Sequence, residues 1–188
     1  LVRVFLFILN RKFLVRFRVG RVIMIKKIFF VARYDNYENE IVKLAEKGKN
    51  KVCYVTFNKS CEFLMGRFRD RGFDEEKFYF VDAISEVVAT HKEGRANCHF
   101  VNGASDLDGR LISITDAVKQ GYNVVVVDSL SNLLLSGVSS EKICVFLGKV
   151  LSLSGVFEMN VFCNKEDSDK MKGYSCFADF GEQELVKN

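Results

Sequence analysis

Four consecutive valines, Val124 to Val127, held between Asn123 and Asp128, constrain this chain more than any other stretch of it. A strand with one wet face alternates apolar and polar residues. An unbroken β-branched run has no polar side to offer water and suits a central strand of a parallel sheet covered on both faces. From Met24 onward, short β-branched or aromatic runs alternate with helical patterns of about a dozen residues, the signature of βαβ units. The other runs are 25–31, 51–57, 77–81, 98–101 and 157–163, and a further short strand is expected near Phe177 to Phe180. The fold class expected is α/β, a three-layer sandwich around a mostly parallel sheet of five or more strands.

Helical spacing fills the intervals. Asp35 and Glu38 stand at capping-box spacing ahead of Ile41, Leu44 and Ala45, and Gly48 supplies a stop. Phe63, Leu64 and Phe68 are read as the apolar members of a helix ending at Gly72. Ser105, with Asp108 three residues on, reads as the cap of an amphipathic helix carrying Leu107, Leu111, Ile114 and Val118 and closed by Gly121. Leu133 to Leu135 reads as part of a loop. Ser139 or Ser140 caps a helix through Ile143, Phe146, Leu147, Val150 and Leu151. Residues 85–97 are polar and unperiodic and read as a surface loop.

At 188 residues and 48% hydrophobic content, the chain matches one domain with a substantial core. Charge divides it in two. Of 28 Lys and Arg, nine fall within residues 1–34, which hold no Asp or Glu; the other 19 face all 24 acidic residues, a net −5. A nucleic-acid-binding body would carry basic excess on the fold itself, so nucleic acid is not an expected partner of the domain. Residues 1–23 form a basic, apolar extension whose longest apolar run, Val4 to Leu9, is far short of the ~20 residues of a membrane span. Two readings of it stand side by side: a membrane-surface or nucleic-acid adaptor segment, or upstream sequence preceding a native start at Met24.

The six cysteines, at 53, 61, 98, 144, 163 and 176, form no CxxC pair, and they read as buried thiols of a cytoplasmic protein. His91, Cys98 and His99 have no zinc-ligand spacing, so no metal is expected. No serine sits in a GxSxG elbow. Arg67-Phe-Arg-Asp-Arg71 is basic, but it lies near a helix end among acids and reads as a solvated face.

In an open parallel sheet, ligands bind at the carboxyl ends of the strands. Four stretches there, Tyr54-Val-Thr-Phe-Asn-Lys-Ser60, Phe80-Val-Asp-Ala-Ile84, Ser105-Asp-Leu-Asp108 and Val124-Val-Val-Val-Asp-Ser-Leu-Ser131, occur in the order found in RecA/KaiC-like ATPases. From about residue 24 to 180 the chain resembles that family, which includes archaeal RecA-superfamily proteins described as signal-transduction ATPases. The valine run closed by Asp128-Ser129-Leu130-Ser131 looks like its Walker B strand, where an aspartate orients magnesium and its water. On turn chemistry alone an aspartate ending a strand caps the following turn, as Asp82 is read to do. Within the whole match, Asp128 is read as inherited from a nucleotide site. The resemblance implies a P-loop NTPase-type, RecA-like sheet and a vestigial nucleotide site comprising Asp128, Ser129, Asn58, Lys59 and Arg33.

Departures from the family are equally specific. A phosphate loop needs GxxxxGK[ST], because glycines admit backbone N–H groups to the phosphates and lysine meets their charge. The corresponding Ala32-Arg-Tyr-Asp-Asn-Tyr-Glu-Asn39 has no glycine, and Asp35, Glu38 and Glu40 load the helix start with charge that repels phosphate. The family usually places one or two glutamates just after the second strand to activate water; Asn58 and Lys59 stand there instead. Losing such a base removes ~10²–10⁴-fold in rate. No catalytic residues are therefore assigned and no cofactor is expected beyond residual ATP and magnesium binding. The function expected is a pseudo-ATPase: a non-hydrolysing regulatory or protein-interaction module in signal transduction, partnered by a protein such as another RecA/KaiC-like ATPase. An atypical ATP-binding enzyme using Arg33, Lys59 and Asp128 is the alternative.

Overall fold

A computed structural model describes residues 24–31, 41, 43, 50–85, 97–103, 105–172, 176 and 180–184. Residues 1–23, with both readings of the basic extension, and the turn 32–39, with Arg33, lie outside the described residues; so does His91.

Among the described residues, seven strands form one sheet: β1 (Ile25–Val31), β2 (Lys51–Thr56), β3 (Phe78–Asp82), β4 (Cys98–Phe100), β5 (Tyr122–Asp128), β6 (Glu158–Asn164) and β7 (Gly181–Glu184). Their order is β4-β3-β2-β5-β6-β1-β7, and every pair of neighbours is parallel. The valine strand β5 is therefore the fourth of seven, and Val124 to Val127 are all fully buried. That is the outcome expected of a run with no polar face.

Alternation along the strands divides the core into two layers. On one face, Val52, Tyr54, Phe78, Phe80, Val124, Val126 and Phe162 meet the helix α1 (Cys61–Arg69) through Cys61, Leu64, Met65 and Phe68, together with helical Ile41. On the other, Cys53, Val55, Val81, Val125, Val127, Met159 and Val161 meet α2 (Leu107–Lys119), α3 (Leu130–Leu135) and α4 (Ser140–Leu151). This is the three-layer α/β sandwich. A short helix α5 (Ser168–Lys172) precedes β7. Among the described residues, no helix is long and apolar enough to cross a membrane.

Local chemistry explains most boundaries. Ser60 caps α1, its hydroxyl accepting from Phe63 N at 3.2 Å, and Ser139 caps α4 through Lys142 N at 3.4 Å. Gly121 closes the turn after α2 at φ +91°, a left-handed conformation that glycine adopts without a Cβ clash.

Several sequence expectations need correction. Asp106, not Ser105, caps α2: its Oδ1 accepts from Gly109 N at 2.9 Å. Phe63 is about half exposed, because the buried stripe of α1 runs through 61, 64, 65 and 68 and leaves 63 on the outer side. Leu133 to Leu135 belong to a helix and not a loop. Of the short strand expected near Phe177 to Phe180, residues 177–179 lie outside the described residues; directly after that stretch, Gly181–Glu184 form β7.

The cysteines also differ from expectation. Cys61 and Cys98 are disulfide-bonded, as are Cys144 and Cys176; only Cys53 and Cys163 are free, and both are buried. Pairs 37 and 32 residues apart are created by the tertiary fold, and connectivity of this kind is not readable from spacing.

Candidate functional site

The chain crosses the sheet in two directions, and the change of direction places the site. Leaving β1 and β2, it passes over the face covered by Ile41 and α1; leaving β5, it passes over the opposite face through α3 and α4. Adjacent strands whose exits part to opposite faces open a crevice at their carboxyl ends, where open α/β sheets bind ligands. One such pair is β2 and β5, with Thr56 registered opposite Asp128. A second among the described residues is β6 and β1, since the chain beyond β6 returns to the α4 face, where Cys176 is bonded to Cys144; Asn164 is opposite Val31 and the turn after β1 lies outside the described residues.

At the first crevice the structure brings together four of the five residues singled out from sequence: Asn58, Lys59, Asp128 and Ser129. Asn58 is exposed and Lys59 half-buried, with its ammonium 6.0 Å from the Phe63 ring centre. The turn holding them is wound around Thr56, whose hydroxyl donates to the Lys59 carbonyl at 2.6 Å and accepts from the Lys59 and Asn58 N–H groups at 3.1 and 3.3 Å. Ser129 is nearly buried; its hydroxyl donates to Asn132 Oδ1 at 3.0 Å, and Asn132 Nδ2 donates to the Phe57 carbonyl at 3.0 Å. Phe57 N in turn donates to the Asp128 carbonyl at 2.6 Å. The mouth between β2 and β5 is thus stitched across by hydrogen bonds. The Asp128–Ser129 peptide is cis.

Asp128 itself is fully buried, and the phenol of Tyr54 donates to its Oδ2. The pairing follows from register: Tyr54 lies opposite Val126, and Asp128, two residues on, shares its face. Removing the hydroxyl leaves a buried carboxylate oxygen short of a charge-assisted donor. Tyr54→Phe should therefore lower the unfolding free energy by about 2 kcal/mol, read from urea melts.

Asp82, at the end of β3, is also fully buried and fully engaged. Its Oδ1 accepts from Ile84 N (2.7 Å) and Ser85 N (3.0 Å), and its Oδ2 from Cys61 N (2.6 Å) and Ser85 Oγ (2.7 Å). It caps the turn after β3, as read from sequence, and also fastens the first residue of α1 to the sheet.

On the opposite face Arg110, wholly buried in α2, places its guanidinium 4.8 Å from the Phe57 ring centre and donates to the carbonyls of Asp106 and Gly103. Burial pushes its pKa down to about 10, opposed by the Coulombic effect of Asp106. It anchors the loop before α2 under the end of β2. Of the basic cluster on α1, Phe68 is buried, and the Arg69 Nε donates to Glu75 Oε1 at 2.5 Å, which fits a solvated rim and not an aromatic-basic binding surface.

Sequence reasoning missed Tyr54, Thr56, Asn132 and Arg110 as parts of this region. The first two were legible in principle, because an aromatic and a hydroxyl residue at even positions of β2 must share a face with Asp128 once β2 and β5 are neighbours.

No family model matches the chain, and no curated protein matches it. Among solved structures it is similar to a KaiC-like protein of the hyperthermophilic archaeon Pyrococcus horikoshii, with 17% sequence identity and a TM-score of 0.44. The match covers 74% of this chain and 62% of that one, so the chain spans less than two thirds of the length of that structure.

Proposed function

We propose that this chain is a degenerate RecA/KaiC-like domain that does not hydrolyse ATP and works as a regulatory or protein-interaction module. The observation carrying this reading is the state of Asp128. An acid that positions a hydrated magnesium must face an open crevice, whereas this carboxylate is fully buried and takes a hydrogen bond from Tyr54. The neighbouring turn offers an amide and an ammonium, Asn58 and Lys59, and no carboxylate to draw a proton from water. The glycine-free, acid-bearing segment 32–39 argues the same way for the β6–β1 crevice on sequence grounds.

A partner protein, with another RecA/KaiC-like ATPase as the first candidate, is the natural ligand of such a module, acting in signal transduction. Residual nucleotide binding is the competing reading, and one titration separates the two. With Mg-ATP raised to millimolar concentration, the melting temperature should not shift in a saturable way, and phosphate release should match buffer. A ligand present at a hundred times its Kd would raise the melting temperature by about 5–10 °C in a domain of this size. A saturable rise of that order, abolished in Asp128→Ala, would establish a nucleotide site and overturn the proposal.

A further inference from the structure

The turn carrying Asn58 and Lys59 ends at a cysteine, and that cysteine is bonded to the sheet edge. Cys61 is the first residue of α1 and is almost completely buried; its partner Cys98 opens β4, the outermost of the described strands on that side, and is half-buried. Their Cα atoms are 6.4 Å apart, within the 4.4–6.8 Å span that a disulfide bridges. The start of α1 therefore has two attachments to the sheet. One is the Cys61 N–H on Asp82 Oδ2 at 2.6 Å; the other is covalent.

We propose that Cys61–Cys98 is a thiol–disulfide switch, whose oxidised form fastens the Asn58–Lys59 turn to the edge of the sheet and whose reduced form releases it. The inference concerns the mobility of that turn and does not depend on what the turn binds.

Access decides where exchange begins. Cys98 is the more accessible of the two, because it is half-buried on the outermost described strand of that side of the sheet, whereas Cys61, at the start of α1, is 2% exposed. A small thiolate of the glutathione class attacks Cys98 Sγ; the S–S bond breaks, its electron pair leaves on Cys61 Sγ, and that thiolate takes a proton from water. A second small thiolate then attacks the sulfur of the first in the mixed disulfide, releasing Cys98 as a thiol and leaving a small-molecule disulfide. Two electrons pass from the two small thiols to the protein, and the reverse sequence reoxidises it. The free cysteines do not compete: burial pushes the Cys53 thiol far up, and that of Cys163 up to about 11, so neither supplies a thiolate at neutral pH.

The test uses the full chain equilibrated in glutathione buffers of graded ratio, with peptide mapping under non-reducing conditions and hydrogen exchange of amides 57–64. Under oxidising ratios a linked Cys61–Cys98 peptide is expected, with those amides exchanging roughly tenfold more slowly than after reduction with dithiothreitol. Cys98→Ser should exchange at the reduced rate in every buffer and melt on the order of 10 °C lower than the oxidised protein, since it opens a loop of 37 residues. Cys144→Ser, which leaves this pair intact, should keep the redox response. If Cys98→Ser does not fold, chemical reduction of the unaltered chain supplies the same comparison. A linked peptide absent at every ratio, or exchange at 57–64 indifferent to its presence, overturns the proposal.

Discussion

Replacing Asp82 by alanine should lower the unfolding free energy by about 4 kcal/mol, the larger part of what a marginal domain has to lose. Four hydrogen bonds converge on this carboxylate, three from backbone N–H groups and one from Ser85 Oγ. Hydrogen bonds to a charged acceptor each contribute roughly 1.5–3 kcal/mol, less when they share a network. Alanine also leaves the Cys61 N–H without its acceptor inside the structure. Asp82→Asn should be intermediate, at about 2 kcal/mol. Its one remaining oxygen can still serve Ile84 and Ser85, but an NH₂ group then faces the Cys61 N–H donor to donor. Denaturant melts of the two variants decide the matter. Equal losses in both would mean that the site needs charge and not geometry, and a loss under 1 kcal/mol in Asp82→Ala would remove the account of how α1 is fastened.

Phe68→Ala should cost about 3–5 kcal/mol, the range for deleting a large aromatic from a packed core. Phe68 is almost fully buried and is the ring through which α1 meets three strand aromatics: Phe78 at 4.7 Å between ring centres, Phe80 at 6.1 Å and Tyr54 at 6.2 Å. The loss should extend beyond stability. Tyr54 holds Asp128, so a cavity under α1 frees the phenol to turn, and Phe68→Ala combined with Tyr54→Phe should cost less than the sum of the two. Strict additivity in that double-mutant cycle would show that the aromatic cluster does not position the phenol. Phe68→Leu should lose distinctly less than alanine, since most of the volume is restored.

How much of this was legible in the sequence depended on whether each signal was local. The central strand could be read from Val124 to Val127 because burial on both faces leaves a mark in four adjacent residues. The strand ends carrying Asn58, Lys59 and Asp128 could be read because a parallel sheet gathers them at one edge whatever the strand order. Leu130 to Leu135 escaped because six residues make too few turns to display a period. Gly181-Glu-Gln-Glu184 escaped because an edge strand of that composition has neither apolar alternation nor β-branched residues. The disulfides and the Tyr54–Asp128 bond escaped for a different reason. They join residues 32 to 74 positions apart, and nothing in either residue names its partner. Tyr54 in particular sits within an apolar run and reads as core, which it is; only its hydroxyl belongs to the site.

The seven described strands all point the same way, so Asn58, Lys59, Asp128 and Ser129 gather at one rim, and the turns in which helices hand over to strands lie at the other. The bend between α1 and β3 lies there, with Gly72 exposed at φ +76° and open space where a side chain would project. A fluorophore or affinity handle spliced into that bend would sit a full strand length from Asn58 and Lys59, so immobilised protein could be presented to binding candidates with its working edge outward.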